Sequence, residues 1–293
     1  MKKGVWYAIG AYGLWGVFPI YWKTIQDIPA LEIISHRVVW SFIFVLGLVA
    51  IKKDWREFNP IANNKKQLLP YLATAILLGV NWLTYVWGVN AGYIIETSLG
   101  YFINPLVSVL LGVIFLREKL RPWQWISVAL AFLGVLYLAL SYGRLPWIAL
   151  TLAGSFGLYG LIKKTASLES LHGFTLETGV IFVPALAYLI YLEAAGQGAF
   201  GHTTIPMTAL LALTGIATGV PLLWFGTAAR KIKLSTLGFL QYIAPTLQFL
   251  IGVLVYNEDF SPDRIIGFSV IWAALLLYSL EGIFARRKAS SVT

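Results

Sequence analysis

The chain has 293 residues and a net charge of +9, and 58% of its residues are hydrophobic whereas only 12% are charged. A soluble domain carries about 25% charged residues, so this composition excludes an ordinary water-soluble protein. The charges lie in short segments between apolar runs, which excludes nucleic acid as a partner despite the basic balance, and the absence of cysteine excludes disulfides and thiolate metal sites.

Ten apolar segments follow one another along the chain, and each is close to the roughly 20 residues that a helix needs to cross a bilayer. The runs are continuous and do not alternate with polar residues, which predicts helices rather than the strands of a membrane barrel. We therefore predict an all-α polytopic membrane protein with ten transmembrane helices. The segments are 4–22, 33–51, 70–90, 97–116, 123–141, 146–162, 173–192, 207–226, 235–256 and 265–284.

The positions of lysine and arginine predict how these helices are oriented. With the N-terminus inside, 18 lysines and arginines fall on the cytoplasmic side and three fall outside, at Lys23, Arg144 and Arg264. This asymmetry follows the positive-inside rule. We expect both termini to lie in the cytoplasm.

The second half of the chain resembles the first when the two are aligned at a constant offset. The matched positions are Gly79 and Gly219, Val80 and Val220, Pro105 and Pro245, Gly112 and Gly252, and Glu118 and Glu258. We predict two five-helix repeats, 1–143 and 144–293, and because five is odd the second must enter the membrane from the opposite side. Inverted repeats are typical of secondary transporters, although a duplication can also record only how a fold arose. Each matched glutamate precedes a proline by four residues, so we expect these glutamates to cap or pair in loops.

Two stretches carry a resemblance to a known family. The first, 96–106, has the sequence ETSLGYFINPL and follows Trp82, Tyr85 and Trp87; the second, 235–246, has the sequence STLGFLQYIAPT. They resemble the two domains of EamA-type permeases, and most of all the RarD-type members of the drug/metabolite transporter superfamily, over nearly the whole chain. The resemblance implies a transporter of the bacterial inner membrane that exports small metabolites or drug-like solutes, without specifying which one.

Arg37 is the most informative residue within a predicted span, because an arginine at mid-helix costs about 2.5–3.5 kcal/mol on insertion scales. It could bind the carboxylate or another anionic group of a solute, or close an outer gate. Alternatively, it extends to the lipid headgroups, or pairs with Glu32, Glu96 or an acid of the loop 257–263. The neighbouring His36 points to another helical face, where it is either structural or a proton carrier.

Glu177 is the residue that the repeat matches to Arg37, and it lies near the inner end of the seventh segment. A buried carboxylate is suited to an inner gate or a protonation step. The alternative is a structural ion pair with Lys163 or Lys164. We group Glu177 with His36 and Glu96 as candidate gating or ion-coupling residues.

Aromatic and amide side chains within the spans are the remaining candidates. In lipid such groups face the bundle interior, where they form either the walls of a solute site or hydrogen bonds between helices. With Arg37, the predicted solute-binding residues are Trp15, Asn81, Trp82, Tyr85, Tyr101, Asn104, Gln241 and Tyr242.

No cofactor or metal site is expected, because the three histidines are far apart and no phosphate-binding loop ending in Gly-Lys-Ser/Thr is present. Uphill transport would then draw on an ion gradient, with protons as the candidate ion, or on solute exchange. We predict a secondary transporter for a small amphipathic solute, with the lipid bilayer as its surroundings. The alternatives are a non-transporting scaffold or sensor and an intramembrane enzyme.

Overall fold

The computed structural model describes residues 2–59, 61, 64–141, 145–257 and 262–290. These residues form helices and connecting turns, with short 3₁₀ turns at Trp55–Phe58 and Lys65–Leu68. The α-helices are α1 (Lys2–Thr24), α2 (Ala30–Lys52), α3 (Leu69–Asn90), α4 (Ile94–Ile114), α5 (Pro122–Ser141), α6 (Trp147–Thr165), α7 (Ser170–Ala194), α8 (Ile205–Lys231), α9 (Leu234–Gln241), α10 (Ile243–Tyr256) and α11 (Pro262–Ser290).

Eight stretches of the described residues are long and apolar enough to cross a membrane. They correspond to α2, α3, α4, α5, α7, α8, the consecutive pair α9 and α10, and α11. The expected spans at 4–22 and 146–162 are helices, α1 and α6, but their glycines, aromatic residues and terminal lysines make them less apolar than the rest. The structure is that of a multi-pass helical membrane protein.

Large apolar side chains cover the outer surface of the bundle. Ile51, Leu140 and Leu254 are more than two-thirds exposed, as are many residues like them on other helices. Contiguous apolar surface of this extent is unfavourable in water. It fits a bundle whose outer face contacts lipid tails.

The helices pack in pairs that join the first half of the chain to the second. α1 packs against α8 and α10, α2 against α7 and α8, α3 against α6 and α7, α4 against α6 and α9, and α5 against α11. The interior is filled with aromatic and aliphatic side chains, among which Tyr12, Tyr159, Phe174 and Leu234 are fully buried. Because most of these pairs join helices far apart in sequence, the central space is built from both halves of the chain.

Glu118 caps the N-terminus of α9, although the two are far apart in the sequence. Its carboxylate accepts hydrogen bonds from the backbone N–H groups of Leu234 and Ser235, at 2.6 and 2.9 Å, and from the Ser235 hydroxyl at 2.6 Å. A negative charge here satisfies free N–H groups and complements the helix dipole. The expectation that Glu118 caps a helix is confirmed; Glu258 and Arg144 lie outside the described residues.

Candidate solute-binding cavity

A cavity of about 390 Å³ lies in the middle of the bundle, within the range of about 300–1,000 Å³ that small-molecule sites occupy. Its lining comes from α1, α2, α3, α4, α6, α8, α9 and α10. In α1, α2, α3, α4 and α6, most of the contributing residues lie from the middle of the helix toward the end of α1 and α3 and toward the start of α2, α4 and α6. The cavity therefore extends from the centre toward the end of the bundle where α1 ends and α2 begins.

Eight of the predicted solute-binding residues line this cavity. They are Trp15, Arg37, Asn81, Trp82, Tyr85, Tyr101, Asn104 and Gln241. Sequence reasoning missed several others, including Trp22, Phe156 and Thr218. Tyr12 lines the cavity too, and Phe156 stands 144 residues beyond it, an offset at which Gly13 and Gly157, and Gly16 and Gly160, also match. An aromatic residue at the position matched to Tyr12 was therefore a sequence signal for Phe156.

Arg37 lines the cavity, and its guanidinium group lies over two indole rings. The guanidinium carbon is 4.8 Å from the centre of the Trp22 ring and 5.0 Å from that of Trp82, both within cation–π range. Its Nε–H donates to the hydroxyl of Thr218 at 3.0 Å. The indoles and the threonine hold the guanidinium in one orientation at the cavity wall.

Arg37 forms no ion pair with a carboxylate among the described residues. Glu32, one expected partner, accepts a hydrogen bond from the backbone N–H of Ala199 at 2.7 Å. Glu96, another, is buried behind the cavity and accepts from the backbone N–H of Ile148 at 2.7 Å, close to the start of α6. The acids at 258 and 259 lie outside the described residues.

Two buried polar atoms of the described lining residues have no hydrogen-bond partner within the described chain. They are the Tyr12 hydroxyl and Asn104 Oδ1, both buried. Buried polar groups normally have partners. These two atoms are therefore unused hydrogen-bonding capacity within the cavity wall.

Tyr242 lies behind the lining rather than in it. It lies at the interruption between α9 and α10, and the neighbouring Gln241 lines the cavity whereas Tyr242 does not. Its hydroxyl donates to the backbone carbonyl of Phe102 at 3.2 Å, and its ring packs in an apolar cluster with Phe102 and Phe268.

A cluster of aromatic rings fills the other end of the cavity. Tyr12, Trp15, Phe156, Tyr159 and Phe225 have neighbouring ring centres 5.0–6.2 Å apart, and the Tyr159 and Phe225 rings are stacked. Offset and edge-to-face contacts at this spacing are favourable. This aromatic cluster separates the cavity from the charged residues beyond it.

Glu177 lies beyond the aromatic cluster and is fully buried. Its Oε1 is 2.9 Å from the buried Lys163 Nζ and accepts from the Thr74 hydroxyl at 3.0 Å, while its Oε2 accepts from the Tyr159 hydroxyl at 3.1 Å. Of the two lysines considered, Lys163 is the partner; Lys164 donates to backbone carbonyl groups instead.

His36 faces a smaller, separate pocket of about 220 Å³ between α2 and α7. Its Nε2 is 3.8 Å from Glu32 Oε1, too far for a hydrogen bond, and its ring packs against Phe200. His36 therefore does not contact the central cavity. The described residues include no group of three or more metal-ligating side chains.

Comparisons with known proteins agree on one family. The model of the EamA-like transporter family matches residues 2–140. Protein RarD of Streptomyces exfoliatus is 45% identical over 98% of this chain and 91% of its own length, and protein RarD of Escherichia coli (strain K12) is 42% identical over 99% and 98%. The uncharacterized transporter YojE of Bacillus subtilis (strain 168) is 45% identical over 99% and 98%.

One solved crystal structure matches 95% of this chain and 98% of its own with a TM-score of 0.72. Its sequence is only 16% identical, so this likeness concerns the fold alone.

Proposed function

Because the chain belongs to the EamA-like transporter family, among its RarD-type permeases, we propose that it is a secondary transporter that moves a small amphipathic solute across the bacterial inner membrane by alternating access. The observation that carries this proposal is the central cavity. It is large enough for a small molecule, is lined by residues from both halves of the chain, and is closed at one end by the aromatic cluster.

The pattern of helix contacts supports an inverted repeat. If α1–α5 are exchanged with α6, α7, α8, the α9–α10 pair and α11, the contact between α1 and α8 becomes that between α6 and α3. Likewise, α4 against α6 becomes the α9–α10 pair against α1, and α2 against α8 becomes α7 against α3. A bundle with this symmetry has two equivalent arrangements that open to opposite sides, as alternating access requires.

The buried ion pair supports a gate at the closed end. The Glu177 carboxylate, Lys163 and the hydroxyls of Thr74 and Tyr159 join α3, α6 and α7 by hydrogen bonds just beyond the aromatic cluster. Opening this end has to separate these helices and expose the pair to water. Glu177 then serves as a gate residue, and it is the candidate for a protonation step.

The orientation follows from the positive charges. With ten helices crossing the membrane, 18 lysines and arginines lie on the side of the closed end. That side is the cytoplasm by the positive-inside rule. The structure is then the state open to the periplasm, from which an exporter would release its solute.

Counterflow in proteoliposomes tests the proposal. A panel of labelled amino acids, organic acids and chloramphenicol, with and without an imposed pH gradient, should include a solute with saturable counterflow. Ala30→Trp, which fills the cavity from its lining, should abolish it, whereas Ala273→Trp on the outer face of α11 should not. Well-folded protein without saturable counterflow would favour the scaffold alternative, whereas counterflow unaffected by Ala30→Trp would contradict the assignment of this cavity as the transport site.

A further inference from the structure

The central cavity carries a single formal charge on the described residues that line it. That charge belongs to Arg37; the rest of the described lining is aromatic, aliphatic, hydroxyl or amide. A cation entering this space would be repelled, and an anion would be attracted more strongly than in water because the surroundings have a low dielectric constant. The cavity therefore discriminates by charge in favour of anions.

The bonding of Arg37 leaves a specific part of its guanidinium group free. Nε–H donates to Thr218, and the guanidinium carbon lies over the rings of Trp22 and Trp82. The N–H groups of the two terminal nitrogens have no partner among the described residues, and they point outward in the plane of the group. Such an edge matches the two oxygens of a carboxylate, which it binds with parallel hydrogen bonds.

The walls around Arg37 are suited to a flat apolar body. Trp15, Phe18, Trp22 and Phe156 contribute aromatic surface to the same cavity. Aromatic rings stack favourably on one another and bury large apolar areas. A solute with an aromatic or similarly flat group would be held by these walls while its charged end meets Arg37.

We propose that the transported solute is an organic monoanion, with a carboxylate bound by the free edge of Arg37 and a flat apolar body between the aromatic walls. This inference rests on the proposed transport function and names its substrate class. The cavity volume of about 390 Å³ limits the solute to a small molecule.

Binding to the purified full-length protein tests the substrate class without requiring transport. Isothermal titration at pH 7 would compare N-acetylphenylalanine, its neutral amide N-acetylphenylalaninamide, and the cation phenylalaninamide. The carboxylate should bind at least about tenfold more tightly than the amide, and the cation most weakly. In Arg37→Gln the affinity for the carboxylate divided by that for the amide should fall to about one. The control is Lys23→Gln, which removes a cation at the end of α1 that does not line the cavity, and it should keep the wild-type ratio of affinities.

Three outcomes overturn the proposal: equal binding of carboxylate and amide by the wild type, tighter binding of the cation, and an unchanged ratio in Arg37→Gln. The wild-type series decides the question even if the variant fails to fold. Failure of the proposed substrate class can be distinguished from failure of the proposed transport function. Counterflow of neutral or cationic solutes alone would contradict only the substrate class, and carboxylate binding without any counterflow would contradict only transport.

Discussion

At the scale of single residues, two charged positions that the proposed repeat matches to each other have opposite surroundings. Glu177 is fully buried and paired with Lys163, whereas Arg37 faces the cavity without a carboxylate partner among the described residues. From the sequence alone, each of these ionisable side chains lies within an apolar segment, where its insertion into the bilayer costs free energy. It does not reveal which is paired, because Lys163 reaches Glu177 only through the packing of α6 against neighbouring helices. The contrast agrees with one end of the bundle being closed and the other open.

We predict that Lys163→Met opens the closed end. Removing one member of a buried ion pair costs about 3–5 kcal/mol, and opening this end would relieve that cost by admitting water to Glu177. The measurement is the rate at which a membrane-impermeant maleimide, applied from the cytoplasmic side, labels a cysteine placed at the buried Ala8 of α1. The rate should rise at least tenfold, and it is easily measured because the chain has no cysteine of its own.

The double variant Lys163→Met with Glu177→Gln is the matched control. With both charges removed, no unpaired charge remains buried, and labelling should return toward the wild-type rate. If Lys163→Met alone were labelled as slowly as the wild type, the assignment of this pair to a gate would be contradicted.

At the scale of helices, close crossings and remote caps decide how the elements meet. Gly215 of α8 lies so near Trp40 of α2 that an added Cβ would overlap the backbone of Trp40. A Cβ added at Gly238 of α9 would likewise lie only 2.6 Å from the backbone carbonyl oxygen of Pro105. Small residues allow membrane helices to approach closely. The sequence shows glycines in apolar segments, but not which of them lie at a crossing.

The cap of α9 can be tested through stability. Glu118→Ala removes the acceptor for three hydrogen bonds at the start of this helix, and should lower the free energy of unfolding by about 2 kcal/mol. Thermal denaturation in detergent would measure the change. Glu169→Ala is the matched control, since Glu169 precedes α7 but its side chain makes no capping hydrogen bond. Equal stability of the two variants would show that the Glu118 contacts contribute little.

At the scale of the whole molecule, the number of membrane crossings depends on α1 and α6. Eight stretches are clearly apolar enough to span, and these two helices are not. Yet α6 packs against α3, α4 and α8, and both α1 and α6 line the central cavity. Helices buried inside a bundle need less apolar surface than those facing lipid, so we predict that both cross the membrane.

Cysteine labelling in intact cells would decide between ten crossings and eight. With ten, Ser167→Cys after α6 should be reached by an impermeant maleimide only after lysis, as should Lys66→Cys, whereas Gln26→Cys should be labelled directly. If α1 and α6 did not cross, Ser167 would lie on the outer side together with Gln26. All three residues are exposed in the structure, so accessibility does not confound the comparison.

The sequence by itself determined the class of the protein. The helical, multi-pass membrane architecture and the family resemblance are confirmed, because hydropathy and the motif around 96–106 are local properties of the chain. Only the tertiary structure decided that Gln241 faces the cavity while Tyr242 lies behind it, and that Glu177 meets Lys163. The direction of a side chain depends on helix rotation, on the break between α9 and α10, and on partners from remote parts of the chain. Those are set by packing, which no local pattern contains.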